Sequence, residues 1–161
     1  MADRLTIARP YARAAFEEAR QNGGLAPWSQ ALQAAALVVK DSRVAGLLDN
    51  PQVTSEELAQ LVDEIAAVPL GEHGANFVRM LADNHRLGYL PEIARLFDSL
   101  KDDAEGVVDV TVSSAAAIDE AQRARIAASL EQRLKRKVRL HCAVDPQLIG
   151  GAVLRSGDLV L

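Results

Sequence analysis

Apolar residues recur every three or four positions through roughly the first hundred residues, a spacing typical of amphipathic helices. Capping residues, glycines and prolines divide this region into separate helical segments. The six predicted helices are 6–24, 25–42, 42–51, 54–68, 71–88 and 90–106. Because the connections between them are short, we expect an antiparallel six-helix bundle over residues 1–105.

Particular residues set the predicted helix ends. Thr6 is the expected cap of the first helix, which would place Pro10 in the first turn, where a missing N–H is harmless. Thr54 or Ser55 is the expected cap of the fourth helix, with Pro69 beyond its end. The fifth helix is expected to end near Gly88.

The pattern changes after Gly106, where apolar and polar residues alternate as they do in strands. One strand, 107–115, places Val108, Val110 and Val112 on one face. A helix over 118–136 follows. The next strand, 137–144, is predicted to turn Val138, Leu140, Cys142 and Val144 inward. A hairpin over 150–161, around 156–158, completes a small α+β domain over 106–161, so the chain is predicted to be mainly α.

Composition narrows the class of protein. Hydrophobic residues are 49% and aromatics only 4%, so the core must be built from Ala, Leu and Val. Trp28 is expected to be the large aromatic anchor of the bundle, or else to lie near a binding groove. The single Cys142 is expected to be a small buried residue. No apolar run is long enough to cross a bilayer and the N-terminus lacks the apolar core of a signal peptide, which predicts a cytoplasm-like compartment.

Charge differs between the two predicted domains. Residues 1–105 carry 10 basic and 16 acidic side chains, and residues 106–161 carry 8 basic and 6 acidic ones. The change of sign predicts two surfaces with different partners.

Residues for catalysis are not found in workable combinations. The chain has no glycine-rich phosphate loop, and Gly150–Gly151 is expected to be a flexible start of a strand where a bulky side chain would not fit. His73, His85 and His141 are isolated from one another and from Cys142, so no zinc site is expected; His85 is expected to be a solvated residue at a helix end. The acids lie on helix faces between apolar residues. We therefore expect no catalytic residue, no cofactor and no metal, and the sequence argues against an enzyme.

Two helices have apolar sectors wider than a surface helix needs. The sector of the first helix, which includes Ala14, covers about 200°, against the roughly 100° that suffices for one buried face. The fifth helix is apolar over more than half of its circumference. Either both helices are central in the bundle, or part of each sector lines a groove for the amphipathic helix of a partner.

The segment "RLKRKVR", residues 133–139, places five positive charges in seven residues. Three interpretations stay open. It is a cation-rich helix C-terminus that runs into an exposed strand, a site for an acidic protein, or a site for nucleic acid. No aromatic residue interleaves the charges, as a stacking platform for bases would require.

Three stretches resemble one family. "ARPYARAAFEEA" (8–19), "NFVRMLADNHRLGYLPEI" (76–93) and "LKRKVRLHCAVDPQLIGGAVLRSGDLVL" (134–161) are similar to the delta (OSCP) subunit of bacterial F-type ATP synthases. The last stretch contains Gly151, Val153, Leu154, Arg155, Gly157 and Asp158 in the order of the C-terminal signature of that family. The resemblance extends over the whole chain in the same order.

The resemblance implies a non-catalytic stator subunit. Its N-terminal helical domain would hold the N-terminal helix of an alpha subunit in a groove between the first and fifth helices, and its C-terminal domain would contact the b subunits of the peripheral stalk. The residues expected to bind the alpha subunit are Ile7, Tyr11, Ala14, Glu18, Asn76, Phe77 and Met80, which lie at the edges of the two apolar sectors and are expected to face outward. Those expected to bind the b subunit are Arg136, Lys137, Arg139 and Arg155.

The resemblance also implies a location and a stoichiometry. The subunit would lie at the cytoplasmic face of the bacterial inner membrane without inserting into it, monomeric in isolation and present once per complex, with no nucleic-acid partner. Members of that family usually continue past Leu161 with a final helix, so the small domain is expected to be truncated. The competing function is a free-standing helical adaptor that binds protein helices, or nucleic acid through residues 133–139.

Overall fold

A computed structural model describes residues 3–66, 71–156 and 159–160 of the chain. Its helices are α1 Arg4–Gln21, α2 Leu25–Lys40, α3 Ser42–Leu48, α4 Ser55–Ile65, α5 Gly71–Asp83, α6 Leu90–Glu105 and α7 Glu120–Leu134, with a 3₁₀ turn at Leu87–Tyr89. Its strands are β1 Val107–Ser114, β2 Lys137–Val144, β3 Ala152–Ser156 and β4 Leu159–Val160. The chain is therefore mainly helical with one small sheet, as predicted. It divides into two compact units, Met1–Lys101 and Asp102–Leu161.

Two details predicted from the sequence lie outside the described residues. They are Pro69, beyond the fourth helix, and the turn at residues 157–158 between the strands of the hairpin. The two strands themselves, β3 and β4, pair antiparallel as predicted.

Helix α1 begins earlier than its capping signal indicated. Asp3 is the N-cap residue, and its carbonyl accepts the N–H of Ile7 at 3.2 Å. The cap predicted at Thr6 is wrong, and Pro10 lies inside the helix rather than in its first turn. The physical reason is tertiary, since the Arg4 side chain makes contacts with residues 88–92 that hold the extra turn in helical form.

Helix α5 ends earlier than predicted, at Asp83 instead of near Gly88. The Arg86 N–H donates to the Leu81 carbonyl at 2.7 Å, and the His85 N–H donates to the Ala82 carbonyl at 3.0 Å. His85 has a φ of 55°, so these bonds form a left-handed helix termination without glycine. The expectation that His85 is a solvated residue at a helix end is confirmed.

One hydrophobic core joins residues of all six helices α1 to α6. Ala8, Ala12, Ala15 and Ala19 form a fully buried stripe along α1. The ring of Phe16 meets that of Phe97 edge-on, with 6.1 Å between centroids. The core thus consists of small aliphatic residues around a few aromatic contacts, as the composition predicted.

Trp28 is the aromatic anchor expected of it. Its side chain is buried and its ring packs edge-on against Phe77 of α5, with 5.9 Å between centroids. Its indole N–H donates to the Asn22 carbonyl at 3.2 Å. Trp28 therefore joins the connection between α1 and α2 to helix α5.

Thr54, one of the two candidates, is the cap of helix α4. Its hydroxyl accepts the Glu57 N–H at 3.2 Å, and the Glu57 carboxylate accepts the Thr54 N–H at 2.8 Å. These hydrogen bonds satisfy two donors that a helix N-terminus otherwise leaves free, and they lower the pKa of Glu57.

Replacing the cap tests its contribution. We expect Thr54→Ala to lower the free energy of unfolding by about 1 kcal/mol, because one helix N–H loses its partner. The matched control Ser55→Ala, in the first helical position, should change it by less than about 0.5 kcal/mol. Urea denaturation followed by circular dichroism measures both, and equal losses in the two variants would contradict the assignment.

The second unit is built on a sheet of order β2-β1-β3-β4. Strands β1 and β2 run parallel and are connected by α7, whereas β1 and β3 run antiparallel. Helix α7 covers one face of the sheet, where Leu130 packs with Val110, Val112 and Leu140. The predicted alternation of β1 is confirmed, since Val108 packs against the same cluster.

The inward orientation predicted for the end of β2 is wrong. Cys142 is exposed and Val144 is 56% exposed. Their neighbour Leu140 is buried beneath α7, but β2 is an edge strand, which in the described part of the chain has a neighbouring strand on one side only. Period-two alternation places Cys142 on the same face as Leu140, and it cannot show how far the covering helix extends.

The explanation offered for Gly150–Gly151 also changes. Gly151 has a φ of 74°, a backbone conformation that residues other than glycine rarely adopt. A Cβ added at either glycine would meet no heavy atom within 4 Å. Backbone conformation at Gly151, and not a shortage of space, is therefore the reason for glycine before β3.

Two kinds of feature are absent from residues 3–66, 71–156 and 159–160. No helix there is both long enough and apolar enough to cross a membrane. No group of three or more His, Cys, Asp or Glu side chains in those ranges is placed to hold a metal ion.

Candidate partner-binding surfaces

Helices α1 and α5 run antiparallel, and α1 contacts the start of α5 and the turn that follows α5. Near the end of α1, the Glu18 carboxylate lies 2.6 Å from Nδ1 of His73, in the first turn of α5. Near the start of α1, the Arg4 guanidinium donates to the carbonyl of Gly88, beyond the end of α5, at 2.6 Å. Arg4 and Glu18 are fourteen positions apart, which corresponds to about 21 Å of helix. We call the strip between these two contacts the α1–α5 surface.

Arg4 holds its end of the α1–α5 surface through several contacts. Its Nε donates to Oε1 of Glu92 at 2.6 Å and its Nη2 to Oε2 at 3.2 Å. The guanidinium carbon lies 4.5 Å from the centroid of the Tyr89 ring. The hydrogen bond to Glu92 raises the pKa of Arg4, and the same bond lowers the pKa of Glu92 against the opposing effect of burial.

Four of the seven residues predicted to bind the alpha subunit are accessible on this surface. Ala14 and Asn76 are exposed, Met80 is 38% exposed, and the Glu18 side chain is partly exposed beside His73. Ile7 and Tyr11 are half-buried, and Tyr11 packs against the core. The structure thus places an exposed stripe of small, apolar and amide side chains between the two charged contacts.

Phe77 does not face outward as expected. It is only 8% exposed because the Trp28 ring of α2 packs against it. Its position at the edge of an apolar sector predicts a groove residue. The ring that buries it, however, belongs to Trp28, almost fifty residues away in the sequence. Phe77 supports the α1–α5 surface from beneath.

His73 is a residue of this surface that the sequence did not identify. It was expected to be an isolated histidine, yet it contacts Glu18 across the two helices. Helical spacing does indicate this position, because His73 lies four residues before Phe77 and seven before Met80 and is therefore on the same stripe of α5.

The Arg4–Glu92 pair gives a pH dependence that can be measured. Because the folded-state pKa of Glu92 is lowered, its ionised form stabilises the fold above about pH 4.5, and the contribution is lost as pH falls through the lower folded pKa. We expect Glu92→Gln to lower the free energy of unfolding by about 0.5 kcal/mol at neutral pH. Denaturant titrations from about pH 7 to about pH 3 should show that difference shrinking with acidity.

The double variant Arg4→Ala/Glu92→Gln is the control for this pair. If the two residues stabilise the fold chiefly through each other, the double variant loses little more stability than either single one. A difference between Glu92→Gln and the unchanged protein that stays constant across the pH range would contradict the interpretation.

A second surface lies on the face of the sheet opposite α7. The strand register places Lys137, Arg139 and Arg155 on this face, together with Thr111 and His141. All five are exposed. We call it the basic face. Three of the four residues predicted to bind the b subunit therefore share one face, and the fourth, Arg136, is exposed just before β2.

Arg139 is already engaged within the second unit. Its Nη2 donates to Asp102 at 3.0 Å, and its Nη1 donates to Asp102 at 3.1 Å and to Asp109 at 3.3 Å. The hydrogen bond to Asp102 raises the pKa of the guanidinium. Asp109 also lies 3.0 Å from Nε2 of His141. Arg139 therefore orders this part of the sheet, and Lys137 and Arg155 are the more accessible cations.

The remaining cations of residues 133–139 fit the first of the three interpretations. Arg133 lies in the last turn of α7, where cations stabilise the helix end. Lys135 terminates the helix with a φ of 55°, and its N–H donates to the Glu131 carbonyl at 2.8 Å. These two cations therefore belong to a helix C-terminus that runs into an exposed strand.

Known proteins resemble this chain in sequence and in fold. Residues 7–161 match the model of the family described as ATP synthase delta (OSCP) subunit. The chain is 49% identical to the ATP synthase subunit delta of Alkalilimnicola ehrlichii and 45% identical to that of Teredinibacter turnerae, in each case over 100% of this chain and 90% of the relative. Its fold is similar to a chain in the Toxoplasma gondii mitochondrial ATP synthase hexamer, with a TM-score of 0.68 at 21% identity, over 96% of this chain and 88% of that one.

Proposed function

The chain belongs to the ATP synthase delta (OSCP) subunit family, and we propose that it is a non-catalytic stator subunit that tethers the alpha/beta catalytic head to the b subunits. In this role it keeps the head from turning with the rotor, so that proton-driven rotation is coupled to ATP synthesis. The proposed site of action is the cytoplasmic face of the bacterial inner membrane, with one copy in each complex.

The observation that carries this proposal is the exposed stripe of the α1–α5 surface. Ala14, Asn76 and Met80 are accessible between the contact of Glu18 with His73 of α5 and the contact of Arg4 with Gly88, in the turn that follows α5. Small side chains let a partner helix approach closely, and a preformed surface loses little conformational freedom on binding. We assign this surface to the N-terminal helix of an alpha subunit, with helices α1 to α6 as an antiparallel bundle that supports it.

The second attachment is assigned to the small unit. Lys137 and Arg155 are exposed on the basic face, and Arg136 is exposed beside it. Exposed cations of this kind increase the association rate with an acidic partner and select against basic ones. We assign these residues to the C-terminal region of the b subunits, with Arg139 as a structural support of the face.

Two attachments on separate units suit a tether under torque. When one contact dissociates, the other keeps the partner at a high effective concentration, so the first contact forms again before the complex separates. Resistance to a sustained load depends on slow dissociation, which buried apolar contacts provide better than exposed ion pairs. We therefore expect most of the affinity for the head to come from the α1–α5 surface.

The alpha-subunit assignment is tested at Ala14. We expect Ala14→Asp to weaken binding of a peptide from the N-terminus of the alpha subunit at least tenfold, because a carboxylate would be buried against apolar groups. The far-UV circular dichroism should be unchanged, since Ala14 is exposed. Isothermal titration calorimetry measures the affinity, and Trp28 fluorescence is a second readout because its ring touches Phe77 beneath the surface.

Leu37→Asp is the matched control for this experiment. Leu37 is a 70% exposed apolar residue of α2, and it lies outside the α1–α5 surface. We expect it to leave peptide affinity unchanged. Equal affinity of Ala14→Asp and the unchanged protein would overturn the assignment.

The b-subunit assignment is tested by charge reversal on the basic face. We expect Lys137→Glu/Arg155→Glu to weaken binding of the soluble part of a b subunit by about tenfold at low salt and by less at high salt. Arg125→Glu, on the exposed side of α7, is the control. Equal losses in the control and the double variant, measured by surface plasmon resonance, would show a general charge effect and not a defined contact.

A further inference from the structure

Strand β2 is the outermost strand on one side of the sheet, and among the described residues its outer edge pairs with no other strand. Each residue of β2 is in register with the residue thirty positions earlier in β1. The Asp145 N–H donates to the Ser114 carbonyl at 2.8 Å. In a parallel pair alternate residues turn both backbone groups to the same side. The odd-numbered residues of β2 therefore face β1, and the even-numbered ones face outward.

Side chains of α7 cover the first half of this outer edge. The Val138 N–H donates to the Glu131 carboxylate at 3.2 Å. The Leu140 carbonyl accepts Nη2 of Arg123 at 2.9 Å. Both contacts agree with the outward orientation of even-numbered residues, and both block the approach of another strand there.

The second half of the edge is open within the part of the chain that the structure describes. Cys142 and Val144 turn their N–H and carbonyl groups outward, and no side chain caps them there. Both side chains are exposed, Val144 to 56%. From Leu140 to Val144 there is no lysine, no proline and no bulge, the usual features that protect an edge.

We propose that β2 between Leu140 and Val144 accepts an extended segment of another protein as an added strand. Backbone hydrogen bonds to Cys142 and Val144 would provide the attachment. Side chains opposite each other in neighbouring strands are in contact, so the segment presents apolar residues to Cys142 and Val144. The segment cannot pair alongside residues 138–140, so it leaves the edge beside Leu140. Acidic residues beyond that point would lie toward Arg136 and Lys137, which are exposed at the start of β2.

The occupant is therefore an extended, alternating apolar segment with acidic residues at its end. A partner helix does not fit this edge, because its backbone groups are already satisfied and cannot bond to Cys142 and Val144. The inference is independent of the attachment proposed for the alpha subunit, since it involves none of the residues assigned to that contact. It shares Arg136 and Lys137 with the attachment proposed for the b subunits, but its hydrogen bonds are made by Cys142 and Val144, which belong to neither attachment.

The test uses the full chain and a synthetic probe peptide, acetyl-Glu-Asp-Val-Thr-Val-Thr-Val-Asp-Glu-amide, whose acidic residues at both ends allow either strand direction. We expect it to slow hydrogen exchange of the Cys142 and Val144 amides and to shift their resonances in ¹⁵N spectra. A second peptide, N-methylated throughout its five central residues, keeps the side chains and lacks the amide donors. It should bind at least tenfold more weakly.

Cys142→Pro is the protein variant that tests the same edge. Its missing N–H points outward, so no hydrogen bond to β1 is removed, and proline is tolerated at such an edge position. We expect binding at least tenfold weaker, with the Val144 amide as the readout, whereas Cys142→Ser should bind as the unchanged protein does.

Two results would overturn the inference. One is exchange of the Cys142 and Val144 amides at the free rate with the probe at millimolar concentration. The other is equal binding of the N-methylated and unmodified peptides. The second comparison uses the unchanged protein, so it decides the matter even if Cys142→Pro does not fold. Neither result bears on the alpha-subunit peptide test at Ala14.

Discussion

The fully buried alanine stripe of α1 is the constraint on which the helical unit depends. Ala8, Ala12, Ala15 and Ala19 extend no atom beyond Cβ, so neighbouring helices pack close to the backbone of α1. A larger side chain at any of them would force those helices apart, which a close-packed interior resists. Larger side chains, such as Phe97, Leu81 and Ile93, fill the rest of this core.

This close packing leaves a defined surface on the other side of α1. With its alanine stripe buried, the helix presents Ala14 outward, and its two ends contact α5 and the turn that follows α5 through Glu18 and Arg4. Beneath the surface, Phe77 is held by the Trp28 ring. The exposure of Ala14 on the candidate surface and the burial of the alanine stripe therefore have the same cause, since both follow from the position of α1.

The second unit has the opposite character. Among the described residues of this unit, α7 is the helix that covers one face of the four-stranded sheet, and side chains on the other face and at the end of β2 are exposed. On the face away from α7 and along the edge of β2, charged side chains connect neighbouring residues through ion pairs and hydrogen bonds. Arg139 connects Asp102 and Asp109 on the open face, while Arg123 and Glu131 cap the backbone of the edge. The second unit therefore exposes cations and backbone hydrogen-bonding groups, whereas the first unit exposes small, apolar and amide side chains on the α1–α5 surface.

Local interactions explain what could be predicted from the sequence. The existence and order of the helices and strands follow from periodicity and from caps such as Thr54, because a cap and the N–H that it satisfies are three residues apart. The family resemblance also followed from the chain itself. Positions at the edges of apolar sectors were harder to interpret. Ala14 and Met80 are accessible as expected, whereas Phe77 is buried by a ring from another helix.

The sequence by itself therefore determined the type and order of the helices and strands, though not all of their ends, and the family. Only the tertiary structure decided which side chains are accessible and which are paired. His73 meets Glu18 across two helices, Arg139 is held by Asp102, and Cys142 lies beyond the cover of α7. The physical reason is that helix and strand signals arise between residues a few positions apart, whereas burial and ion pairing depend on neighbours that only the folded chain brings together.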